Sequence, residues 1–187
     1  MDHPSEQVLS VEACSLAHIP ALNELIAQSA RILSRGFYTE AQTEAAIQYV
    51  FGVDSHLVAD GTYFLAKLEG QVVGCGGWSR RRTLYGGDQR PMGEIDYLDP
   101  QHDAARIRAF FIAPHAARRG VASAIFAACK QAAEAAGFRD LELMATLPGV
   151  PFYRVLGFET LEKVEDTLPN GVVLEFERMR LHLASTT

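Results

Sequence analysis

The sequence is poor in cysteine and tryptophan, and no uninterrupted apolar run is long enough to span a bilayer. Its three cysteines, Cys14, Cys75 and Cys129, are odd in number, widely spaced and set among apolar or small neighbours. This pattern predicts reduced, partly buried thiols in the cytoplasm and not a disulfide framework. No Cys/His pair has the spacing of a metal site, so we expect no metal.

A secretory signal and an excess of positive charge are also missing. The first six residues contain neither a basic region nor an apolar core, and we expect no membrane partner. The chain has 17 basic and 23 acidic residues and a net charge of −6, which argues against a general nucleic-acid binder. The run Arg80-Arg81-Arg82 is a local exception, and without a reading motif it indicates a solvated or anion-contacting loop.

The length of 187 residues suits one domain with a single sizeable core, spanning residues 1–187. Periodicity and turn residues predict the order β-α-α-β-β-β-α-β-α-β-β, an α/β (α+β) arrangement around one sheet. The segment Arg80–Asp103 lacks periodicity and is expected to be mostly loop. The predicted strands are Val8–Ala13, Tyr63–Leu68, Val72–Trp78, Arg106–Ile112, Leu141–Ala145, Glu159–Thr167 and Val172–Leu183. The predicted helices are Leu16–Leu33 with Ser15 as N-cap, 39–51 with a capping box at Thr39, 121–137, and Phe152–Leu156.

A strand that passes through a basic, small-residue turn into a helix is the most informative local feature. Backbone N–H groups in the first turn of a helix have no internal partners. Gly120, Ala122 and Ser123 carry little bulk, and Arg118 and Arg119 add positive charge beside the positive end of the helix dipole. The pattern predicts a pyrophosphate-binding turn. The alternative is that the small residues only allow tight helix–sheet packing and that the arginines face solvent.

A second segment, Pro148–Glu159, contains Phe152-Tyr153 and ends in Gly157-Phe158. With the basic turn one strand upstream, the chain resembles the GNAT superfamily of N-acetyltransferases from about Val8 to Leu183. That resemblance implies the acyl-CoA N-acyltransferase fold, with a central mixed, mostly antiparallel sheet flanked by helices. It also implies acetyl-CoA as the donor substrate.

In that family, Gln/Arg-x-x-Gly-x-Gly/Ala wraps the coenzyme A pyrophosphate, and the later aromatic segment, here including Phe152, packs along the pantetheine arm. Gly120 and Ala122 match the small positions, whereas Ala117 stands where the family has Gln or Arg, so one side-chain contact is missing. The surrounding turn is filled by Arg118, Arg119, Val121 and Ser123. The strand whose backbone pairs with pantetheine in the family corresponds here to Phe110, Phe111 and Ile112. Thr146 stands close to the position at which many family members have an Asn. The side chain of Phe111 is either core or contact, because successive strand residues face opposite sides of a sheet.

The resemblance implies that Tyr153 is the acid that protonates the departing thiolate. The alternative is a tyrosine that only packs beside its aromatic neighbours. Glu94 is our candidate base for the acceptor amine, and the alternative is a solvated acidic loop. His102 and His115 are expected to be surface residues.

The acceptor is expected to be a small-molecule or peptide amine, selected by Arg35–Tyr38, Ser79–Asp103 and Val164–Val172. Tyr38 and Trp78 either form an apolar wall for it or belong to the core. The central loop carries both acidic residues and arginines, so its charge does not choose an acceptor.

The leading hypothesis is an acetyl-CoA-dependent N-acetyltransferase in which the amine attacks the thioester directly. Transfer through a cysteine ranks lower, since Cys75 and Cys129 have no visible His/Asp partner. A non-catalytic acyl-CoA-binding sensor or regulatory module is the alternative from a different class. The last hairpin would offer an edge strand for a homodimer.

Overall fold

A single seven-stranded sheet forms the centre of the molecule in the computed structural model, which describes residues 8–90 and 95–184. The strand order is β1-β2-β3-β4-β5-β7-β6, and neighbours are antiparallel except for the parallel pair β4–β5. The mixed, mostly antiparallel sheet confirms the predicted fold class. The strands are β1 (Leu9–Ala13), β2 (Tyr63–Leu68), β3 (Gln71–Ser79), β4 (Ala105–Ile112), β5 (Asp140–Thr146), β6 (Glu159–Thr167) and β7 (Val173–His182).

Five α-helices are found in the described residues, of which the sequence predicted four. The helices are α1 (Ile19–Leu33), α2 (Glu40–Tyr49), α3 (Ser55–Ala59), α4 (Val121–Ala135) and α5 (Val150–Val155), with 3₁₀ turns at Leu16–His18, Pro114–Ala116 and Leu147–Gly149. Helix α3 was missed because five residues are too short to show helical periodicity. None of these helices is long and apolar enough to cross a membrane.

Two predicted helix starts agree with the structure to different degrees. The capping box of α2 is confirmed: the Gln42 N–H donates to Thr39 Oγ1 at 3.1 Å, and the Thr39 N–H donates to Gln42 Oε1 at 2.9 Å. Ser15 is the N-cap of the 3₁₀ turn Leu16–His18, which leads directly into α1, so the helical segment starts where predicted, although the α-helix itself begins only at Ile19. The Ser15 N–H donates to His18 Nδ1 at 3.0 Å.

The sheet is covered on both faces, and each face has its own apolar layer. Helix α4 covers one face with Val121, Ile125 and Cys129, which recur every four residues and are buried. Helices α1 and α2 cover the other face, where Leu22 and Ile26 pack in the same cluster as Leu65 and Phe176.

The central loop has no helix or strand in its described parts, 80–90 and 95–103, as predicted. Two residues of its basic run are bound to the protein's own carboxylates. Arg81 forms two hydrogen bonds with Asp60, at 2.7 and 2.8 Å, and Arg82 pairs with Asp96 at 2.5 Å. Arg81 therefore connects the loop to the body of the protein, whereas Arg82 joins two parts of the loop itself.

Candidate active site

Strands β4 and β5 form a fork in the middle of the sheet. They pair at Ala105–Leu141 and Arg106–Glu142 and diverge beyond those residues. The register between β3 and β4 shifts by one residue between Cys75 and Gly77, which marks a bulge in β4. The cavity between the separated strands is lined by residues of both, including Ala109 and Thr146.

The bulge is held in a conformation that an L-residue rarely adopts. Ala109 has φ +51°, and its carbonyl accepts a hydrogen bond of 2.9 Å from the buried Tyr63 hydroxyl. Such a left-handed residue costs about 1–2 kcal/mol, and surrounding contacts must maintain it. The Tyr63 hydrogen bond is one contact that does so.

Glycines of β3 allow close packing around the bulge. A Cβ at Gly76 would lie 2.6 Å from the Phe110 ring. A Cβ at Gly74 would lie 2.8 Å from Ile112 and 2.9 Å from Val121 at the start of α4. The absence of these side chains lets the Phe110 ring lie on β3 and brings the N-terminus of α4 close to the sheet.

The turn before α4 has an open surface of backbone donors. Arg118 and Gly120 have φ of +60° and +79°, and the Ala124 N–H donates the first bond to the Gly120 carbonyl at 3.0 Å. The N–H groups of the three residues between, Val121 to Ser123, precede that bond and are not used by the helix. No atom lies within 4 Å of a Cβ built on Gly120, and Arg118, Arg119 and Ser123 are exposed. The arrangement is suited to an anion.

Not every residue of this turn offers its side chain. Val121 is buried in the core, so only its backbone faces outward. Ile112 is partly buried and packs against the same layer. Ala117 leaves the turn without the Gln or Arg side chain of the family pattern. The pyrophosphate site that the sequence predicts therefore consists of backbone donors, Ala122, Ser123 and two arginines.

Tyr153 lines the cavity on the α4 side of the fork. It is 8% exposed, and its ring packs against Phe110, Phe152 and Phe158 at centroid distances of 6.4, 5.2 and 5.7 Å. Burial raises its pKa, so the hydroxyl stays protonated at neutral pH. No described residue is hydrogen-bonded to this hydroxyl. The aromatic packing is thus present, and the proton is available to a ligand.

Thr146 lies beside Tyr153 at the end of β5. A Cβ on Gly149 would lie 3.3 Å from Thr146 Oγ1 and 3.2 Å from the Tyr153 ring, so both side chains pack against that glycine. Thr146 also lines the cavity. The structure therefore brings together two of the residues that the resemblance selected.

The opposite side of the cavity, towards α1 and α2, is aromatic. Phe111 packs on Phe51 at 5.3 Å, and Tyr85 packs on Phe176 at 5.2 Å. All four side chains line the cavity. Phe111 is thus both a packed residue and a lining residue, which answers the question that its strand position left open.

Arg108 lines the cavity, and the sequence reasoning missed it. It is 2% exposed and donates to Asp54 Oδ2 at 3.1 Å and to the Thr83 and Gly86 carbonyls at 3.2 and 2.5 Å. Burial lowers its pKa, and the Asp54 carboxylate opposes that effect. The available signal was the pair of arginines, Arg106 and Arg108, inside an otherwise apolar strand.

Other candidates lie away from the cavity or outside the described residues. Glu94, the candidate base, lies outside them. His102 and His115 are exposed, as expected, although His102 has a partner that the sequence did not show, Asp99 at 2.8 Å. Tyr38 and Trp78 are 7% and 6% exposed and do not line the fork cavity, so both belong to the core.

The three cysteines are free and buried, and none lines the cavity. Burial raises the pKa of Cys14 to about 11 and that of Cys75 to about 12. It also raises the pKa of Cys129. Because the thiolate is the nucleophile, these protonated thiols are poorly suited to carry an acetyl group.

Comparison with known families shows which family the chain belongs to. The family model described as acetyltransferase (GNAT) family matches residues 24–158. The chain belongs to the GNAT acetyltransferase family. The match confirms the resemblance read from the two motifs and is consistent with acetyl-CoA as the acetyl donor. No curated protein is significantly similar to this GNAT chain in sequence.

Solved structures share the fold of this GNAT chain at low sequence identity. A GCN5-related N-acetyltransferase from Rhodopseudomonas palustris is 18% identical with a TM-score of 0.68, covering 97% of this chain and 100% of its own. PaiA N-acetyltransferase from Thermoplasma acidophilum, in complex with coenzyme A, is 11% identical with a TM-score of 0.62, covering 94% and 99%. YncA from Salmonella typhimurium, with its cofactor acetyl-CoA, is 13% identical with a TM-score of 0.60, covering 96% of each chain.

Proposed function

We propose that this GNAT protein is a single-domain, acetyl-CoA-dependent N-acetyltransferase in which an acceptor amine, of a small molecule or a peptide, attacks the thioester directly. The observation that carries the proposal is the β4–β5 fork, together with the open turn of free backbone donors that follows β4 and the protonated Tyr153 hydroxyl on the cavity wall. Family membership and the two neighbours bound to coenzyme A or acetyl-CoA support the choice of donor.

The donor would bind along the fork from the turn inward. The free N–H groups of Val121, Ala122 and Ser123 would hold the pyrophosphate, and Arg118 and Arg119 would add positive charge. The pantetheine arm would lie against the backbone of residues 110–112 and the ring of Phe152. The left-handed Gly120, with open space around it, lets the phosphate oxygens approach the helix start.

The chain's own groups account for each proton. An alkylamine has a pKa of about 10, so its ammonium form first loses one proton, to water or to the proposed base Glu94. The nitrogen lone pair then forms the C–N bond, the C–S bond breaks, and its electron pair goes to sulfur. Tyr153 Oη donates a proton to that sulfur and recovers one from the nitrogen, which gives an amide and a thiol. Backbone N–H groups of β4 would stabilise the charge on the carbonyl oxygen.

A non-catalytic acyl-CoA sensor is the second candidate. Two observations favour it: Ala117 removes a usual donor contact, and no carboxylate is found among the described residues that line the cavity. A sensor would bind coenzyme A without accelerating acetyl transfer to any amine. The two functions therefore differ in one measurable property.

Thiol release from acetyl-CoA over a panel of amines, together with calorimetric binding of coenzyme A, tests the proposal. We expect turnover with at least one class of amine. We also expect Tyr153→Phe to lower kcat by about 10²–10⁴-fold, the usual contribution of a positioned acid, with coenzyme A affinity unchanged. Tyr97→Phe is the control, because Tyr97 is half exposed and lies outside the cavity. Tight coenzyme A binding without turnover of any amine would favour the sensor.

We also propose a cytoplasmic location. All three cysteines are buried as free thiols, a state that a reducing compartment preserves. Fractionation of cells that express the protein tests this, and recovery in the membrane or secreted fraction would contradict it.

A further inference from the structure

The side of the fork cavity that faces α1 and α2, which we call the acceptor side, has a distinctive chemical character. Its side chains there are aromatic or apolar: Phe51, Tyr85, Phe111, Met144 and Phe176. Two of the ring pairs are in contact, Phe51 with Phe111 and Tyr85 with Phe176. A ligand in this part of the cavity would therefore contact aromatic rings.

The charges near this wall are already neutralised by one another. Arg108 is the one charged side chain among the described lining residues, and it forms an ion pair with Asp54 and donates to two carbonyls. Arg90, whose guanidinium lies over the Tyr85 ring, is paired with Asp166. A carboxylate or a second ammonium on the acceptor would lose its hydration here without gaining an unpaired counter-charge.

Tyr85 is held in this wall from two sides. Arg108 fixes the loop by its bonds to the carbonyls of Thr83 and Gly86, which flank Tyr85. Arg90 lies over the Tyr85 ring, 4.5 Å from its centroid, and reaches across to Asp166 on β6. A Cβ on Gly86 would lie 2.5 Å from Arg90 Cδ, so the arginine stem packs directly against the loop backbone. The ring is therefore positioned as part of the pocket.

We propose that the acceptor is a primary monoamine whose amino group is joined by a short chain to an apolar, preferably aromatic, group, and that Tyr85 is a specificity-determining residue that contacts this group. The proposal rests on the acetyltransferase function proposed above and names its acceptor class. Aromatic rings stabilise the apolar group by burial and by ring–ring contacts. The amine then loses its proton and reacts in the balanced steps already described.

The test compares an aromatic monoamine with two amines that each carry a second charged group. With full-length protein and saturating acetyl-CoA, we expect kcat/KM for 2-phenylethylamine to exceed the values for phenylalanine and for 1,4-diaminobutane by about tenfold or more, since buried groups left unpaired discriminate strongly. Phenylalanine adds a carboxylate to the same skeleton, and the diamine replaces the ring by a second ammonium. A preference for either charged acceptor would overturn the proposal while leaving the acetyltransferase function intact.

Tyr85→Ala tests the residue itself. We expect KM for 2-phenylethylamine to rise about tenfold, with the calorimetric affinity for coenzyme A unchanged. Tyr97→Ala is the matched control: Tyr97 belongs to the same central loop and also has arginines over its ring, but it does not line the cavity. Equal effects of the two variants, or equal loss for all amines with Tyr85→Ala, would overturn the role of Tyr85. Absence of turnover with every amine would instead refute the acetyltransferase function, and this inference with it.

Discussion

Replacement of Arg108 by methionine should destabilise the protein far more than loss of an exposed arginine. The change removes a cation that is 2% exposed and takes the arginine partner from Asp54, whose side chain is 13% exposed and keeps only its contacts with the ring and backbone N–H of His56. The carbonyls of Thr83 and Gly86 lose their donor as well. Breaking one side of a buried pair costs about 3–5 kcal/mol. For a chain of this size each kcal/mol lowers Tm by about 2–4 °C, so we expect a fall of about 6–20 °C.

Differential scanning calorimetry and urea unfolding of Arg108→Met measure this effect. Arg31→Met is the matched control, since Arg31 forms two hydrogen bonds with Glu44, at 2.6 and 3.0 Å, but both side chains are about half exposed. Its Tm should change little. The double variant Arg108→Met/Asp54→Asn should recover part of the loss, because no buried charge is then left unpaired while the cap of α3 is kept. Equal Tm values for Arg108→Met and Arg31→Met, or strictly additive effects in the double variant, would refute the reasoning.

Three further predictions concern the bulge, the turn and the buried tyrosines. Gly76→Ala places a Cβ against the Phe110 ring, so it should cost about 1–3 kcal/mol in urea unfolding and weaken coenzyme A binding in calorimetry. Gly120→Ala meets no neighbour but must hold φ +79°, so it should cost about 1–2 kcal/mol and reduce coenzyme A affinity; unchanged affinity would argue against a ligand at this turn. Burial raises the pKa of Tyr38 from about 10 to about 12, so its contribution is complete below pH 10 and is lost as pH rises to about 12. Stability of the wild type should therefore fall more steeply over that range than stability of Tyr38→Phe, as measured by urea midpoints; equal slopes would contradict the assignment.

The sequence predicts those parts of the candidate site that are formed by residues adjacent in the sequence. The turn at Gly120 and the segment around Tyr153 each consist of a few consecutive residues, because free helix N–H groups and a short aromatic helix are local structures. The mixed, mostly antiparallel sheet followed from the family resemblance that these two motifs carry. The structure then placed Phe110, Thr146 and Tyr153 around one cavity.

The proposed acceptor side of the cavity was not predictable from the sequence, because its contacts join distant parts of the chain. Arg108 pairs with Asp54 across 54 positions, and Arg90 pairs with Asp166 across 76. The left-handed conformation of Ala109 has no signal in the residue type, since alanine rarely adopts it. Tyr85 lies in a segment without periodicity, so only the three-dimensional arrangement shows that its ring meets Phe176.

The position of coenzyme A in a crystal structure of the complex tests the proposed donor site. We expect pyrophosphate oxygens about 2.7–3.2 Å from the backbone nitrogens of residues 121–123, as in ordinary N–H···O hydrogen bonds. We also expect the sulfur in the β4–β5 fork, within hydrogen-bonding reach of Tyr153 Oη. A pyrophosphate bound away from the turn before α4, or a sulfur on the far side of the sheet from Tyr153, would contradict the proposed site.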